Sequence, residues 1–171
     1  REGFYFATND SIPCYHKTYV DDSGIPFVYY EELNGIKPGK KYNPTSVATY
    51  AKEYYTELIK SKGFVTKRKF FNCIEWLEKN IHEEGNCLLY QFNWQQPFYP
   101  EIKPTYASGL SSGLAMEAFI DAYLLSGSEK YISLSKKLLN GFYVPIQNGG
   151  FTYVDATEMW FEEYAHENTK T

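Results

Sequence analysis

The chain has 171 residues, a formal net charge of −4 and 19% aromatic residues, with 17 Tyr against 2 Met. That length suffices for one domain with a sizeable core, and the aromatic content is too high for a disordered segment. The negative balance argues against nucleic acid as the main partner, and abundant Tyr and Trp among acids suits a protein that binds carbohydrate. No apolar run is long enough to span a membrane, and no signal-peptide pattern opens the chain. Cys14, Cys73 and Cys87 are odd in number and lack metal-ligand spacing, which argues against a complete disulfide framework. His16, His82 and His166 also stand apart, so neither a metal nor a cofactor is expected.

In chain order, residues 1–41 read as a β-rich segment of short runs broken by turns at Pro13, Asp21-Asp22-Ser23-Gly24 and Asn34-Gly35, with Phe27-Val28-Tyr29-Tyr30 as the clearest strand. Lys37, Lys40 and Lys41 cluster around a Pro-Gly turn and are suited to a solvated surface or to an acidic polymer. The period becomes helical near residue 42. Val47, Tyr50, Ala51, Tyr54, Tyr55, Leu58 and Ile59 predict a buried stripe, with Asn43 as cap, Pro44 in the first turn and Gly63 as stop. A second helix is expected from Thr66 to His82 on Phe70, Phe71, Ile74, Leu77 and Ile81, with Gly85 beyond it. Cys87 to Trp94 reads as one short strand. A third helix covers Ser108 to Leu125 before Gly127, and a fourth spans Ser128 to Phe142 before Gly149-Gly150 and Phe151-Thr152-Tyr153-Val154.

Tyr42 and Tyr106, Gly63 and Gly127, and Gly85 and Gly149 are each 64 residues apart. The units read helix, Gly, helix, Gly, short strand, which is the grammar of a helical-hairpin array. The expected fold is therefore mainly α: an incomplete (α/α) toroid of two helical hairpins with short strands, preceded by the β-rich segment. The domains are residues 1–41 and a partial toroid over 42–171 that continues past the given C-terminus.

The stretch richest in chemistry is Trp160-Phe161-Glu162-Glu163-Tyr164. Aromatic faces stack on pyranose rings, while acids and phenols hydrogen-bond hydroxyls or move protons. Tyr106 and Ser108 open the third helix, where an aromatic and backbone donors suit a sugar, and a cap with a packed Tyr suits the same residues. Trp94, with Phe98 and Tyr99 around Pro97, suits either a stacking platform or a loop pinned by aromatic packing. Ser111-Ser112-Gly113 has no nucleophile-elbow frame.

Tyr42-Asn43-Pro44-Thr45-Ser46-Val47-Ala48-Thr49-Tyr50-Ala51, Tyr106-Ala107-Ser108-Gly109-Leu110-Ser111-Ser112-Gly113-Leu114-Ala115, Gly149-Gly150 and the Trp160–Tyr164 block occur in a familiar order. Together they resemble the first half of the C-terminal catalytic domain of D-glucuronyl C5-epimerases, over roughly residues 24–164. The resemblance implies a toroid preceded by β structure, often a homodimer, acting on glucuronate units of an acidic heparosan-type polysaccharide. It implies that Glu163 and Tyr164 are catalytic, and that further tyrosines and a basic residue for the substrate carboxylate lie past residue 171. Trp160, Glu162, Tyr106, Ser108 and Trp94 are then the candidate substrate-binding residues. The family usually places Pro after Glu-Glu-Tyr, where this chain has Ala165, and Gln before the helix Gly, where it has Ser112.

Inverting C5 needs removal of a proton α to a carboxylate and reprotonation from the opposite face, so one carboxylate–phenol pair serves one face only. Two other classes fit the same residues. One is another toroid enzyme, a polysaccharide lyase or a glycoside hydrolase with Glu162 or Glu163 as general acid. The other is a carbohydrate-binding piece without catalysis, favoured if Glu163 and Tyr164 pack inside.

Overall fold

The computed structural model describes residues 16–165 and Thr171; Cys14 and His166 lie outside the described residues. Strands β1 (His16–Val20), β2 (Pro26–Tyr30) and β3 (Gly39–Lys41) form an antiparallel sheet in the order β1-β2-β3. Asp21 makes the first turn, its Oδ1 accepting the N–H groups of Ser23 and Ile25 at 2.9 Å each. The side-chain period of two buries Pro26, Val28 and Tyr30 on one face of β2. His16 lies opposite Tyr30 and Lys41 opposite Val28, so both share that face.

Helix α1 (Pro44–Ser61) begins where sequence predicts. Asn43 caps it through an Oδ1 that accepts the Thr45 N–H at 2.8 Å, and Pro44, with no N–H to leave unpaired, takes the first turn. It does not stop at Gly63. Lys62 carries the left-handed closing conformation, φ 52°, and Gly63 is extended at the head of α2 (Phe64–Lys79). Ile59, expected in the buried stripe, is 56% exposed at this end of the hairpin.

Helix α2 ends three residues before His82. Asn80 caps it, its side chain donating to the Trp76 carbonyl at 2.8 Å. His82–Glu84 then becomes β4, paired with β5 (Cys87–Leu89) around Gly85 at φ 57°. The single strand expected from Cys87 to Trp94 breaks at Tyr90, whose N–H turns to Ser112 Oγ at 3.4 Å and whose phenol donates to the Leu77 carbonyl at 2.9 Å. Beyond it β6 (Gln91–Phe92) pairs with β7 (Tyr106–Ala107).

Ser108 caps α3 (Gly109–Ser126) by accepting the Ser111 N–H at 3.1 Å, and Gly127 closes it at φ 71°. Helix α4 (Glu129–Gly141), a 3₁₀ turn (Ile146–Asn148) and the hairpin β8 (Thr152–Val154)–β9 (Met159–Phe161) follow. The hairpin repeat is 65 residues rather than 64. Caps Asn43 and Ser108, first residues Pro44 and Gly109, and left-handed closers Lys62 and Gly127 all correspond at that offset. The 64-residue glycine spacing matched residues in different roles.

Helix α1 packs against α2, α3 against α4, and α1 against α3, with α4 also against β5. The main core lies among the four helices: Val47, Ala48 and Ala51; Phe70, Cys73, Ile74 and Leu77; Ala115, Ala118, Phe119 and Ala122; Tyr131 and Leu138. Alanines on α1 and α3 let the two backbones approach, while Phe70 and Phe119 supply volume; each large buried side chain contributes about 2–3 kcal/mol. A second, aromatic cluster lies under the N-terminal sheet: Val28, Tyr30, Phe92, Trp94, Ile102 and Tyr106, with Tyr99 and Tyr164 against it. Among the described residues no helix is long and apolar enough to cross a membrane.

Lys62 occupies the position that Gly127 fills one repeat later, and a side chain there costs about 1 kcal/mol. Lys62→Gly is expected to raise the thermal midpoint by about 1–4 °C. A lower midpoint would show that the lysine holds the hairpin through other contacts.

Candidate functional site

The segment after β9 is placed from below by its turn and from above by α3. Asp155 Oδ1 closes the β8–β9 turn, accepting from Thr157 N at 2.7 Å, Thr157 Oγ1 at 2.8 Å and Glu158 N at 3.0 Å. Trp160 stacks on its cross-strand partner Tyr153, ring centres 4.2 Å apart. The extended backbone then sends alternate residues to opposite sides, so Glu162 follows Trp160 and Glu163 does not.

That alternation separates the two adjacent acids. Glu162 is 1% exposed. Its Oε1 accepts the Trp160 indole N–H at 2.7 Å, and its Oε2 accepts Thr171 N at 2.6 Å and Thr171 Oγ1 at 3.1 Å. Three donors satisfy a carboxylate that would otherwise be costly to bury. Glu163 instead lies beside Tyr164, where its carboxylate raises the pKa of that phenol.

Backbone bonds fix where Tyr164 goes. Glu162 N donates to the Phe151 carbonyl at 2.8 Å, Gly109 N donates to the Glu162 carbonyl at 3.0 Å, and Ala165 N donates to the Ala107 carbonyl at 2.8 Å. Gly109 must be glycine for this approach, because a Cβ there would lie 2.8 Å from the Glu162 carbonyl oxygen. Tyr164 is thereby set edge-on to Phe92 and Tyr106, both at 5.7 Å, with Tyr99 at 6.0 Å. Phe92 and Tyr106 stack face to face at 5.3 Å, and Trp94 meets the edge of Phe92 at 4.7 Å.

Tyr30 completes the group from β2, 6.4 Å from Trp94 between ring centres. Its phenol oxygen accepts the Asn43 side-chain N–H at 2.9 Å, so the residue that caps α1 also orients a phenol of the cluster. Burial pushes the Tyr30, Tyr106 and Tyr164 phenols above the usual phenol range, the last further raised by the Glu163 carboxylate. All three are therefore neutral O–H groups at physiological pH, and can donate a proton or a hydrogen bond to developing negative charge.

Three buried polar atoms have no hydrogen-bond partner among the described residues: Trp94 Nε1, Gln96 Oε1 and Tyr106 Oη. Two belong to the aromatic cluster, and Gln96 is two residues from Trp94. Buried polar atoms in folded proteins are almost always paired, so such a group marks a place where a water or ligand belongs.

The fold thus brings Tyr106, Trp94 and Tyr164 together around Phe92, with Glu163 beside Tyr164. Trp160 and Glu162 form a separate pair behind them. Ser108 is fully buried, its hydroxyl used in capping α3 and its N–H given to the Tyr90 carbonyl at 2.9 Å. Of the aromatics around Pro97, Tyr99 packs on Tyr164 while Phe98 is exposed, and the Pro97 carbonyl is tied to Asn34 at 3.0 Å. Sequence reasoning missed Tyr30, Phe92, Asn43 as an orienting group and Gln96. The only local signal was strand alternation at Tyr30. No group of His, Cys, Asp and Glu that could hold a metal occurs among the described residues.

The split between the acids predicts different variant phenotypes. Glu162→Ala orphans three donors and is expected to cost about 2–4 kcal/mol, lowering the melting midpoint by roughly 5–15 °C. Glu163→Gln is expected to leave it within about 2 °C. Equal losses would contradict the assignment of Glu162 as the structural member.

The raised phenols make the fold alkali-sensitive. Their folded pKa values exceed the unfolded value near 10, so their contribution is fully present below about pH 10 and is lost as pH rises above it. Tyrosinate absorbance should rise in two phases, the later one coincident with unfolding. Tyr164→Phe should reduce only the later amplitude; a reduction of the early phase would place that phenol in water.

The sequence is similar to that of an uncharacterized protein of Methanocaldococcus jannaschii, 25% identical over 172 residues, which cover 87% of this chain and 54% of that protein. The chain spans about half the length of this curated relative. The family model described as D-glucuronyl C5-epimerase C-terminus matches residues 83–171, more than half of the chain, including Trp94, Tyr106 and the Trp160–Tyr164 block. On that match, the chain belongs to the D-glucuronyl C5-epimerase C-terminal family.

Proposed function

We propose that this chain builds part of the substrate site of a uronyl C5-epimerase that inverts C5 of glucuronate in an acidic, heparosan-like polysaccharide. The observation that carries the reading is the Tyr164 phenol, beside the Glu163 carboxylate and set edge-on to the stacked rings of Phe92 and Tyr106, inside the stretch that matches the family. Loss of the C5 proton leaves charge delocalised into the uronate carboxylate, and a neutral phenol beside it can donate to that charge or return a proton to carbon. Raised phenols cannot serve as resting bases, so Tyr164 and Tyr106 suit the donor half of the reaction. The Glu163 carboxylate beside Tyr164 gives that phenol a route for proton exchange after it has donated. Glu163 and Tyr164 are therefore the proposed catalytic residues, with Trp94 and Tyr106 at the sugar and Trp160 and Glu162 holding the segment in place.

The proposed architecture is an (α/α) toroid to which these two hairpins belong. Its supports are the 65-residue repeat and the packing of α1 on α3. Leu110, Ile120 and Leu124 also stand exposed along one side of α3, where another hairpin of such an array would pack. A homodimer is the proposed assembly by family likeness alone.

The test is incubation of the full-length protein with heparosan in deuterated water. Deuterium is expected at C5 of the uronate without an ultraviolet-absorbing unsaturated product, and Tyr164→Phe is expected to lower incorporation by at least about 100-fold. An unsaturated product would make the protein a lyase. No incorporation across several uronate polymers would remove the epimerase reading.

A further inference from the structure

The three lysines near the Pro-Gly turn do not act as one surface patch. β-pairing sends Lys40 and Lys41 to opposite faces of β3. Lys40 lies over Phe27, 4.0 Å from the ring centre, on the face away from the aromatic cluster. Lys41 shares the face of Val28 and Tyr30, its ammonium 5.6 Å from the centre of the Trp94 ring. Among the described residues no carboxylate pairs with Lys41. Trp94 is 9% exposed, and its indole N–H is one of the buried donors without an acceptor.

A cation without a carboxylate partner, lying over an indole whose buried N–H has no acceptor, makes a place rich in donors. Burial has lowered the pKa of His16, whose ring is 6.0 Å from Tyr30 on the same face, so it adds no competing positive charge at neutral pH. Tyr30 Oη, already accepting from Asn43, keeps its own hydrogen to donate. Gln96, two residues beyond Trp94 in the chain, holds a buried acceptor without a partner, Oε1, which matches a hydroxyl. Several donors and one acceptor describe a sugar acid better than a neutral sugar or a simple anion.

We propose that Lys41 and the Trp94 indole N–H form a carboxylate subsite at the edge of the aromatic cluster, which takes the carboxylate of a uronate sugar while Gln96 accepts from one of its hydroxyls. The inference rests on the epimerase reading only for the polymer it names; the subsite itself stands on the unpaired groups. It places carboxylate recognition on the N-terminal sheet, so that β3 and the loop after β6 read the polymer while the β9 segment faces the carbon that changes.

The experiment is calorimetric binding of unsulfated heparosan oligosaccharides, and of the same oligosaccharides with their carboxyl groups reduced to alcohols, to the full-length protein. The unaltered protein is expected to prefer the carboxylated form by at least about tenfold. Lys41→Gln should abolish that preference by weakening the carboxylated form alone, Lys41→Arg should keep most of it, and Trp94→Phe should reduce it in part. Circular dichroism melts check that each variant is folded. The inference is overturned if the unaltered protein binds both forms equally or neither, or if Lys41→Gln keeps the preference. Loss of C5 exchange with a Lys41-dependent preference intact would sink the epimerase reading and leave the subsite standing.

Discussion

The N-terminus of α3 is the point on which the rest of the arrangement depends. A helix start leaves backbone N–H groups without intrahelical partners, and here they are used to hold other parts of the chain. The Gly109 N–H, first in the helix, takes the Glu162 carbonyl at 3.0 Å, while Ser108 supplies its hydroxyl to Ser111 and its N–H to Tyr90. One helix end therefore ties the strand after α2, the strand before α3 and the segment after β9 into a single node. Thr45 Oγ1 and Ser111 Oγ, 2.6 Å apart, carry the tie across to the start of α1. Asn43, at that start, reaches Tyr30 in the sheet. The candidate site is the space these caps enclose, and its side chains come from five separated stretches because the caps bring them together.

Electrostatics divides the labour among groups that look alike in sequence. Glu162 and Glu163 are neighbours, yet one is enclosed by an indole N–H and two threonine donors and the other meets a phenol. The difference follows from extended backbone, which turns successive side chains to opposite sides. Tyr30, Tyr106 and Tyr164 are likewise distinguished from surface tyrosines by burial among rings, which penalises the phenolate. A cluster of neutral phenols has no use as a set of resting bases. It is suited to charge that appears during a reaction, where a donor already in place costs no reorganisation.

The helices were legible because their apolar period is local: four helices fall within a few residues of their expected bounds. Errors arose where one residue decides a conformation that several types can adopt. Lys62 takes a left-handed backbone usually given to glycine, so the stop signal at Gly63 was read one residue late and the repeat one residue short. The pairings of β4 with β5 and β6 with β7 involve two or three residues each, too few for a period to register. The aromatic and acidic make-up of the candidate site was readable from the Trp160–Tyr164 block, but its geometry was not. Tyr30 is 134 positions from Tyr164 in the chain, and no local pattern relates residues so distant. The role of Glu162 was readable in principle, since treating Trp160-Phe161-Glu162 as a strand places Trp160 and Glu162 on one side.

The two departures from the family pattern turn out to lie at the same node. Ala165 stands where the family usually has proline, and its N–H bonds the Ala107 carbonyl at 2.8 Å, a bond proline cannot make. Ser112 stands where a glutamine is usual; its hydroxyl donates to the Ser108 carbonyl at 2.8 Å and accepts from Tyr90 N at 3.4 Å. Ser112 thus spends a short side chain on the backbone around Ser108, where a glutamine amide would reach further. Ala165 adds a backbone tie directly beyond Tyr164. Ala165 ties the segment after β9 to the strand before α3, Ser112 ties Tyr90 to the first turn of α3, and neither alters a group of the aromatic cluster. Ala165 therefore bears on how firmly Tyr164 is held and Ser112 on how the strand carrying Phe92 enters the node, while the ring partners and the subsite under Lys41 stay as the sheet and loops set them.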